Sequence, residues 1–151
     1  MKTTFYLITF CLLLSNCKKS SDAQDPTPTT IAAPSKLAML TNKQWLYSEI
    51  YYNATAPRVG TLAYKRGAAN NTENRDNTRA FFWRNGTFDE VAGPNSSYST
   101  LTWRFSNTDS TQYTIGTGTS LTTVNIIKLD ENTFEWYTPS SKISAVMFSR
   151  L

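Results

Sequence analysis

The sequence predicts an all-β fold, an antiparallel up-and-down meander that closes into a barrel of about eight strands. Short runs rich in β-branched and aromatic residues alternate with polar residues at a period of two. Gly, Asn, Asp, Pro and Ser separate these runs, as is typical of turns between strands. No run with the 3.6-residue period of an amphipathic helix reaches helical length. Closure of the sheet would remove exposed edges that invite pairing with other chains.

Each candidate strand follows from this pattern in chain order. The runs cover residues 44–52, 59–65, 78–84, 87–92, 101–105, 112–116, 122–129, 133–137 and 143–150. Asn85-Gly86 lies between the third and fourth runs and favours a type I′ hairpin turn, because both central residues of that turn need positive φ. The polar stretch 67–77 predicts a long loop that is either mobile or at the mouth of a cavity.

Residues 1–16 are predicted to be a bacterial export signal. Lys2 supplies the positive charge, and residues 5–14 supply an apolar stretch too short to span a membrane, which takes about 20 helical residues. Residues 14–17, Leu-Ser-Asn-Cys, resemble the bacterial lipobox, although Asn16 stands where that motif usually has Gly, Ala or Ser. The resemblance implies that Cys17 is acylated on sulfur and becomes the first residue of the mature protein. An ordinary secretory signal is the alternative, but it would need an A-x-A-like cleavage site, which is not found there.

Residues 17–39 are predicted to be the lipidated Cys17 and a flexible linker. Lys, Ser, Thr, Ala and three prolines dominate this stretch, so it cannot bury enough apolar surface to fold. The predicted barrel domain follows over residues 40–151.

The composition argues against several kinds of active site. The chain has no histidine, and its two cysteines, Cys11 and Cys17, both precede the predicted domain. A disulfide within the domain, a zinc site and Ser-His or Cys-His catalysis are therefore not expected. The adjacent carboxylates at 89–90 and 130–131 would point to opposite faces of a strand or form a turn. We predict a protein that is not an enzyme and that uses no metal and no cofactor.

The charge pattern gives little indication of a macromolecular partner. The net charge is +4, yet no run of five basic residues occurs, so nucleic acid is not an expected partner. The membrane is the expected partner, through the N-terminal lipid. The sequence leaves the oligomeric state open.

Five short segments share their order and spacing with the motifs of one family. They are LTNKQW at 40–45 (family L-x-G-x-W), NGTF at 85–88 (DGTF), TWRFS at 102–106 (G-x-W-x-F), NTF at 132–134 (T-x-L/F) and MFSR at 147–150 (the closing strand). On these segments the chain resembles the lipocalin-like domains of small Bacteroidetes lipoproteins. The resemblance implies a lipocalin-like barrel, lipid-anchored in the bacterial cell envelope and placed at the outer membrane.

The resemblance also implies one structural pair at the barrel floor. In lipocalins the tryptophan of the first strand packs beneath an arginine near the C-terminus, and Trp45 and Arg150 match these positions. A guanidinium stacked on indole contributes about 0.5–2 kcal/mol. The alternative is that Trp45 is ordinary core and that Arg150 is a solvated terminal residue.

Aromatic residues are the remaining candidates for function. Three of the 20 aromatic residues fall in the signal, and the other 17 exceed what a small barrel needs to fill its floor. The candidates for lining a ligand cavity, or else for filling the core, are Tyr47, Phe81, Trp83, Trp103, Phe105 and Trp136. The first hypothesis is a barrel that binds a small apolar ligand. The alternative is an interaction module that binds a glycan or partner protein at the cell surface through exposed aromatics such as Tyr52 or Tyr98 and the 67–77 loop.

Overall fold

The computed structural model describes residues 33–41, 43–93 and 98–150, with the backbone alone at 98 and 99. The predicted signal, Cys17 and the linker up to residue 32 lie outside the described residues. One short helix, α1 (Lys36–Leu40), precedes the strands. The strands are β1 (Gln44–Ala56), β2 (Val59–Lys65), β3 (Thr78–Phe82), β4 (Thr87–Ala92), β5 (Tyr98–Phe105), β6 (Gln112–Thr117), β7 (Ser120–Leu129), β8 (Thr133–Thr138) and β9 (Ile143–Arg150).

Eight of these strands close into an antiparallel barrel, which confirms the predicted fold class. β1 pairs with β3, each strand from β3 onward pairs with the next, and β9 returns to pair with β1. The turns at 83–86, 106–111 and 130–132 lie at one end, which we call the floor end. The turns at 57–58, 118–119 and 139–142 lie at the other end, the mouth end.

β2 is the extra strand, and it explains the long loop. One edge of β1 is used twice, because residues 44–46 pair with β3 and residues 49–56 pair with β2. β2 and β3 therefore run one after the other along the same edge of β1, like one strand interrupted by the loop 66–77. The interruption places this polar loop beside the barrel wall.

The helix α1 begins within the predicted linker, and only its last residue, Leu40, belongs to the predicted domain. Ser35 caps it by accepting a hydrogen bond from Ala38 N (3.2 Å). Leu40 at its end is fully buried, and Trp45 Nε1 donates to the Leu40 carbonyl oxygen (2.9 Å). The structured region therefore begins before residue 40.

The β3–β4 hairpin forms where it was predicted, but the type I′ prediction for its turn is wrong. Gly86 has φ +86°, whereas Asn85 is not among the described residues with positive φ. Gly86 N donates to Trp83 O (3.0 Å), and Trp83 N donates to Thr87 O (2.8 Å). This is a type I turn followed by a left-handed glycine, so the loop has three residues rather than two.

An aromatic cluster fills the floor half of the barrel. Phe82 lies at its centre, with ring centroids 4.8 to 5.6 Å from those of Phe88, Trp103, Tyr113 and Phe134. None of these five side chains is more than 7% exposed. Edge-to-face pairs of this kind add about 0.5–1.5 kcal/mol each to the free energy gained from burial. The floor is therefore a packed core.

Candidate functional site

A cavity of about 310 Å³ lies inside the barrel, above Phe82 and Tyr113 of the floor cluster. Every one of the eight barrel strands contributes to its lining, which consists of Tyr47, Ala80, Phe82, Phe88, Glu90, Leu101, Tyr113, Ile115, Gly116, Ser120, Thr122, Val124, Trp136, Thr138 and Met147. The volume reaches the lower end of the range for small-molecule sites, about 300 Å³. Because most of the lining is apolar, the cavity suits a small and mainly apolar molecule.

A polar network joins the loop 66–77 to one wall of the cavity. Glu90 accepts hydrogen bonds from the Tyr47 hydroxyl (2.8 Å) and from Arg75 Nη1 (3.0 Å). Arg75 Nε also donates to Glu73 Oε2 (2.9 Å), and the guanidinium lies 5.8 Å from the centroid of the Tyr47 ring. Arg75 thus holds its loop against the barrel and offsets the charge of both carboxylates. Of the described residues that line the cavity, Glu90 alone is charged.

Two hydroxyls on buried residues of the lining have no hydrogen-bond partner among the residues that the structure describes, and both oxygens are open to the cavity rather than fully buried. They belong to Tyr113 and Thr138, each 3% exposed. Tyr113 lies opposite Val124, and the pairing of Asn125 with Tyr137 places Thr138 beside Val124 on the next strand. The two hydroxyl residues therefore lie in one row across β6, β7 and β8. This row offers hydrogen bonds within an otherwise apolar wall.

The buried tyrosines should ionise late in an alkaline titration. Burial is the first cause that raises the pKa of Tyr47 and of Tyr113, and for Tyr47 the Glu90 carboxylate adds to it. Burial and the hydrogen bond to Asp76 (2.7 Å) raise the pKa of Tyr64 to about 12. Because the pKa of these tyrosines is higher in the folded chain than in the unfolded chain, their neutral forms contribute fully to folding stability below about pH 10. This contribution is lost as the pH rises through the folded-state pKa values. Tyrosinate absorbance at 295 nm should therefore lag behind that of the unfolded chain above pH 10. One common transition near pH 10 would contradict this burial.

Four of the six aromatic candidates lie inside the barrel. Tyr47 and Trp136 line the cavity. Trp103 is buried in the floor cluster, and Phe105 packs against it with ring centroids 5.4 Å apart. The first two are therefore placed to contact a ligand, and the other two support the floor.

Phe81 and Trp83 lie on the outer wall and line a surface pocket there, so their interpretation as core residues or as lining of the barrel cavity is wrong. Trp83 is 47% exposed, and its ring stacks on that of Phe81 with centroids 5.8 Å apart and planes 9° apart. The physical reason is that side chains alternate along a strand, so residues two apart point to the same face of the sheet. Exposed Arg79 shares the outward face with Phe81 and Trp83, whereas Ala80 and Phe82 point inward and are buried.

The predicted pair of Trp45 and Arg150 does not form. Arg150 is exposed and lies opposite Gln44 in the β1–β9 ladder, so its side chain shares the face of Gln44, while Trp45 points inward. Trp45 is fully buried beside Phe134, with ring centroids 5.5 Å apart. The cation near its ring is Lys43, whose Nζ lies 5.8 Å from the centroid.

Glu90, Tyr113 and Thr138 line the cavity but were not among the sequence candidates, and the alternation of side chains along a strand gives the signal for the last two. Tyr113 shares a face with Ile115, and Thr138 shares a face with Trp136. Glu90 was considered only as one of two adjacent carboxylates that would point to opposite faces of a strand, because its partner Arg75 is 15 residues away in a loop. A contact of that kind leaves no local pattern.

Comparisons with known proteins add no assignment. No family model matches the chain, and no curated protein or solved structure matches it. Among the described residues, no helix has the length and apolarity to cross a membrane. The same residues contain no group of three or more Cys, Asp or Glu side chains that could hold a metal ion.

Proposed function

We propose that this chain is a lipid-anchored protein of the bacterial cell envelope, placed at the outer membrane, whose lipocalin-like barrel binds a small apolar molecule without catalysis. The observation that supports binding is the apolar cavity of about 310 Å³ within the closed barrel. Anchoring is supported by the lipobox-like residues 14–17 and the apolar stretch before them. The family resemblance is supported by five motif segments whose order and spacing match.

The size of the cavity limits the size of the ligand. A cavity of about 150 Å³ lined by apolar side chains admits benzene. The cavity here is about twice that volume, so we expect the buried part of the ligand to be about two fused rings, the size of the naphthyl group of N-phenyl-1-naphthylamine. Transfer of such a ligand from water into the cavity contributes about 25 cal/mol to the free energy of binding for each Å² of apolar surface that becomes buried.

A matched pair of substitutions on β7 tests this proposal. Thr122 lines the cavity, whereas its neighbour Thr123 is exposed on the outer face. Thr122→Trp should fill the cavity and weaken binding of N-phenyl-1-naphthylamine, a neutral probe that fluoresces in apolar surroundings, by at least about tenfold. Thr123→Trp should leave the affinity unchanged. Fluorescence titration measures both affinities, and circular dichroism checks that both variants are folded. Equal affinity in the two variants, or no binding by the unmodified protein, would refute the cavity as the binding site.

The alternative function, glycan binding at the cell surface, is favoured by the stacked pair Phe81–Trp83 on the outer wall. An exposed indole offers an apolar face to the C–H groups of a sugar ring. Asp89 lies beside it and accepts hydrogen bonds from Trp83 Nε1 (2.6 Å) and from the Thr100 hydroxyl (3.1 Å). A glycan bound there would be unaffected by Thr122→Trp, so the same variant separates the two functions.

A further inference from the structure

We propose that the ligand of the barrel cavity is an uncharged molecule whose apolar body carries a hydroxyl or carbonyl oxygen, and that this oxygen hydrogen-bonds to the Tyr113 hydroxyl. The inference rests on the proposed function and names the chemical class of ligand for the same cavity.

The Tyr113 hydroxyl faces the cavity without a protein partner. The residue is 3% exposed and lines the cavity, and within the described part of the chain its hydroxyl has no hydrogen-bond partner. The hydroxyl oxygen is nevertheless open to the cavity, because among the described residues Glu73 Oε1 is the one fully buried side-chain oxygen or nitrogen without a partner. When a ligand expels water from the cavity, an oxygen on that ligand would keep the hydroxyl hydrogen-bonded, whereas a purely apolar ligand would leave it unsatisfied. Thr138, in the same row of the wall, provides a second hydroxyl for such a ligand.

The charge of the lining favours an uncharged ligand. Glu90 is the charged member of the lining, and it already accepts hydrogen bonds from Arg75 and Tyr47. An anionic ligand such as a carboxylate would approach Glu90 and would find no cation to pair with among the lining residues that the structure describes. A cationic ligand would have to displace Arg75 from Glu90. An uncharged ligand avoids both costs.

Three probes of the same ring size test the ligand class. They are naphthalene, 2-naphthol and 2-naphthoate, each measured at pH 7 by displacement of N-phenyl-1-naphthylamine from the full-length protein in detergent, with Thr122→Trp in the same detergent as the blank for probe held in micelles. We expect the protein to bind 2-naphthol roughly fivefold more tightly than naphthalene, as a single neutral hydrogen bond provides. It should bind 2-naphthoate more weakly than naphthalene.

Tyr113→Phe identifies the hydroxyl responsible. The variant keeps the ring and loses only the oxygen, so 2-naphthol should lose its roughly fivefold advantage while the affinity for naphthalene stays the same. Tyr137→Phe is the matched control. Tyr137 lies outside the lining, and its hydroxyl donates to the Ala54 carbonyl oxygen (3.3 Å), so this variant should retain the preference.

Each contrary result has a distinct meaning. A full preference for 2-naphthol in Tyr113→Phe would overturn the assigned hydroxyl, while the retained binding of naphthalene would leave the proposed function intact. Tighter binding of 2-naphthoate than of 2-naphthol by the unmodified protein would overturn the uncharged ligand class without any variant. Failure of all three probes and of N-phenyl-1-naphthylamine would refute the proposed function itself.

Discussion

Replacing Phe82 by Ala should lower the free energy of unfolding by about 3–5 kcal/mol, the cost of removing a buried phenyl ring and leaving a cavity. Phe82 is 3% exposed and contacts four other rings of the floor cluster. A domain of this size has a stability of about 5–15 kcal/mol, so the loss is a large fraction of the total and should clearly lower the urea concentration at the unfolding midpoint. Urea denaturation followed by tryptophan fluorescence measures the loss.

Phe81→Ala is the control for this prediction, since it removes the same ring from the adjacent residue. Phe81 faces the outer wall, where it is only half-buried and stacks on Trp83. Its loss should cost about 1 kcal/mol, which is typical of partly exposed positions. If Phe81→Ala proved more destabilising than Phe82→Ala, the assignment of the inward face of β3 would be wrong.

The same pair of residues shows what the sequence could and could not predict. The number of strands, their order and most of their bounds follow from local alternation and turn residues, so the closed antiparallel barrel was predictable. The inward face of β3 was not identified, because three consecutive aromatic residues hide the alternation. Arg79 indicates the outward face, because a charged side chain is usually exposed to solvent. Phe81 is two residues further along the strand, so it points to the same face.

The candidate site was less predictable than the fold for a physical reason. The row of Tyr113 and Thr138 depends on the register between three strands, which no single segment encodes. Arg75 reaches Glu90 from a loop, and Lys43 lies near Trp45 where Arg150 was expected. Period-two patterning gives the face of a residue but not its neighbour across the sheet.

Replacement of Cys17 by Ser should have the largest effect on where the protein is found. A thiol is required for acylation on sulfur, so we expect the variant to lack lipid and to accumulate as unprocessed precursor or as soluble protein. Two or three acyl chains, each contributing about 0.8 kcal/mol per buried methylene, make anchoring effectively permanent, so their loss should move nearly all of the chain out of the lipid-anchored fraction. Phase partition in Triton X-114 and metabolic labelling with palmitate measure both changes.

Cys11→Ser is the matched control, because Cys11 is the other cysteine of the chain and lies inside the predicted apolar signal stretch. Serine is close to cysteine in size, and it changes only one residue of the apolar stretch 5–14 while the lipobox-like residues remain. Palmitate labelling and detergent partition should therefore match those of the unmodified protein. Palmitate labelling that persists in Cys17→Ser but is lost in Cys11→Ser would show that the lipid is attached to Cys11 and would contradict the prediction for Cys17. Detergent partition that is unchanged in both variants would show that the protein is held at the membrane without a thioether-linked lipid, and the anchoring half of the proposed function would then be lost while the cavity remained to be tested on its own.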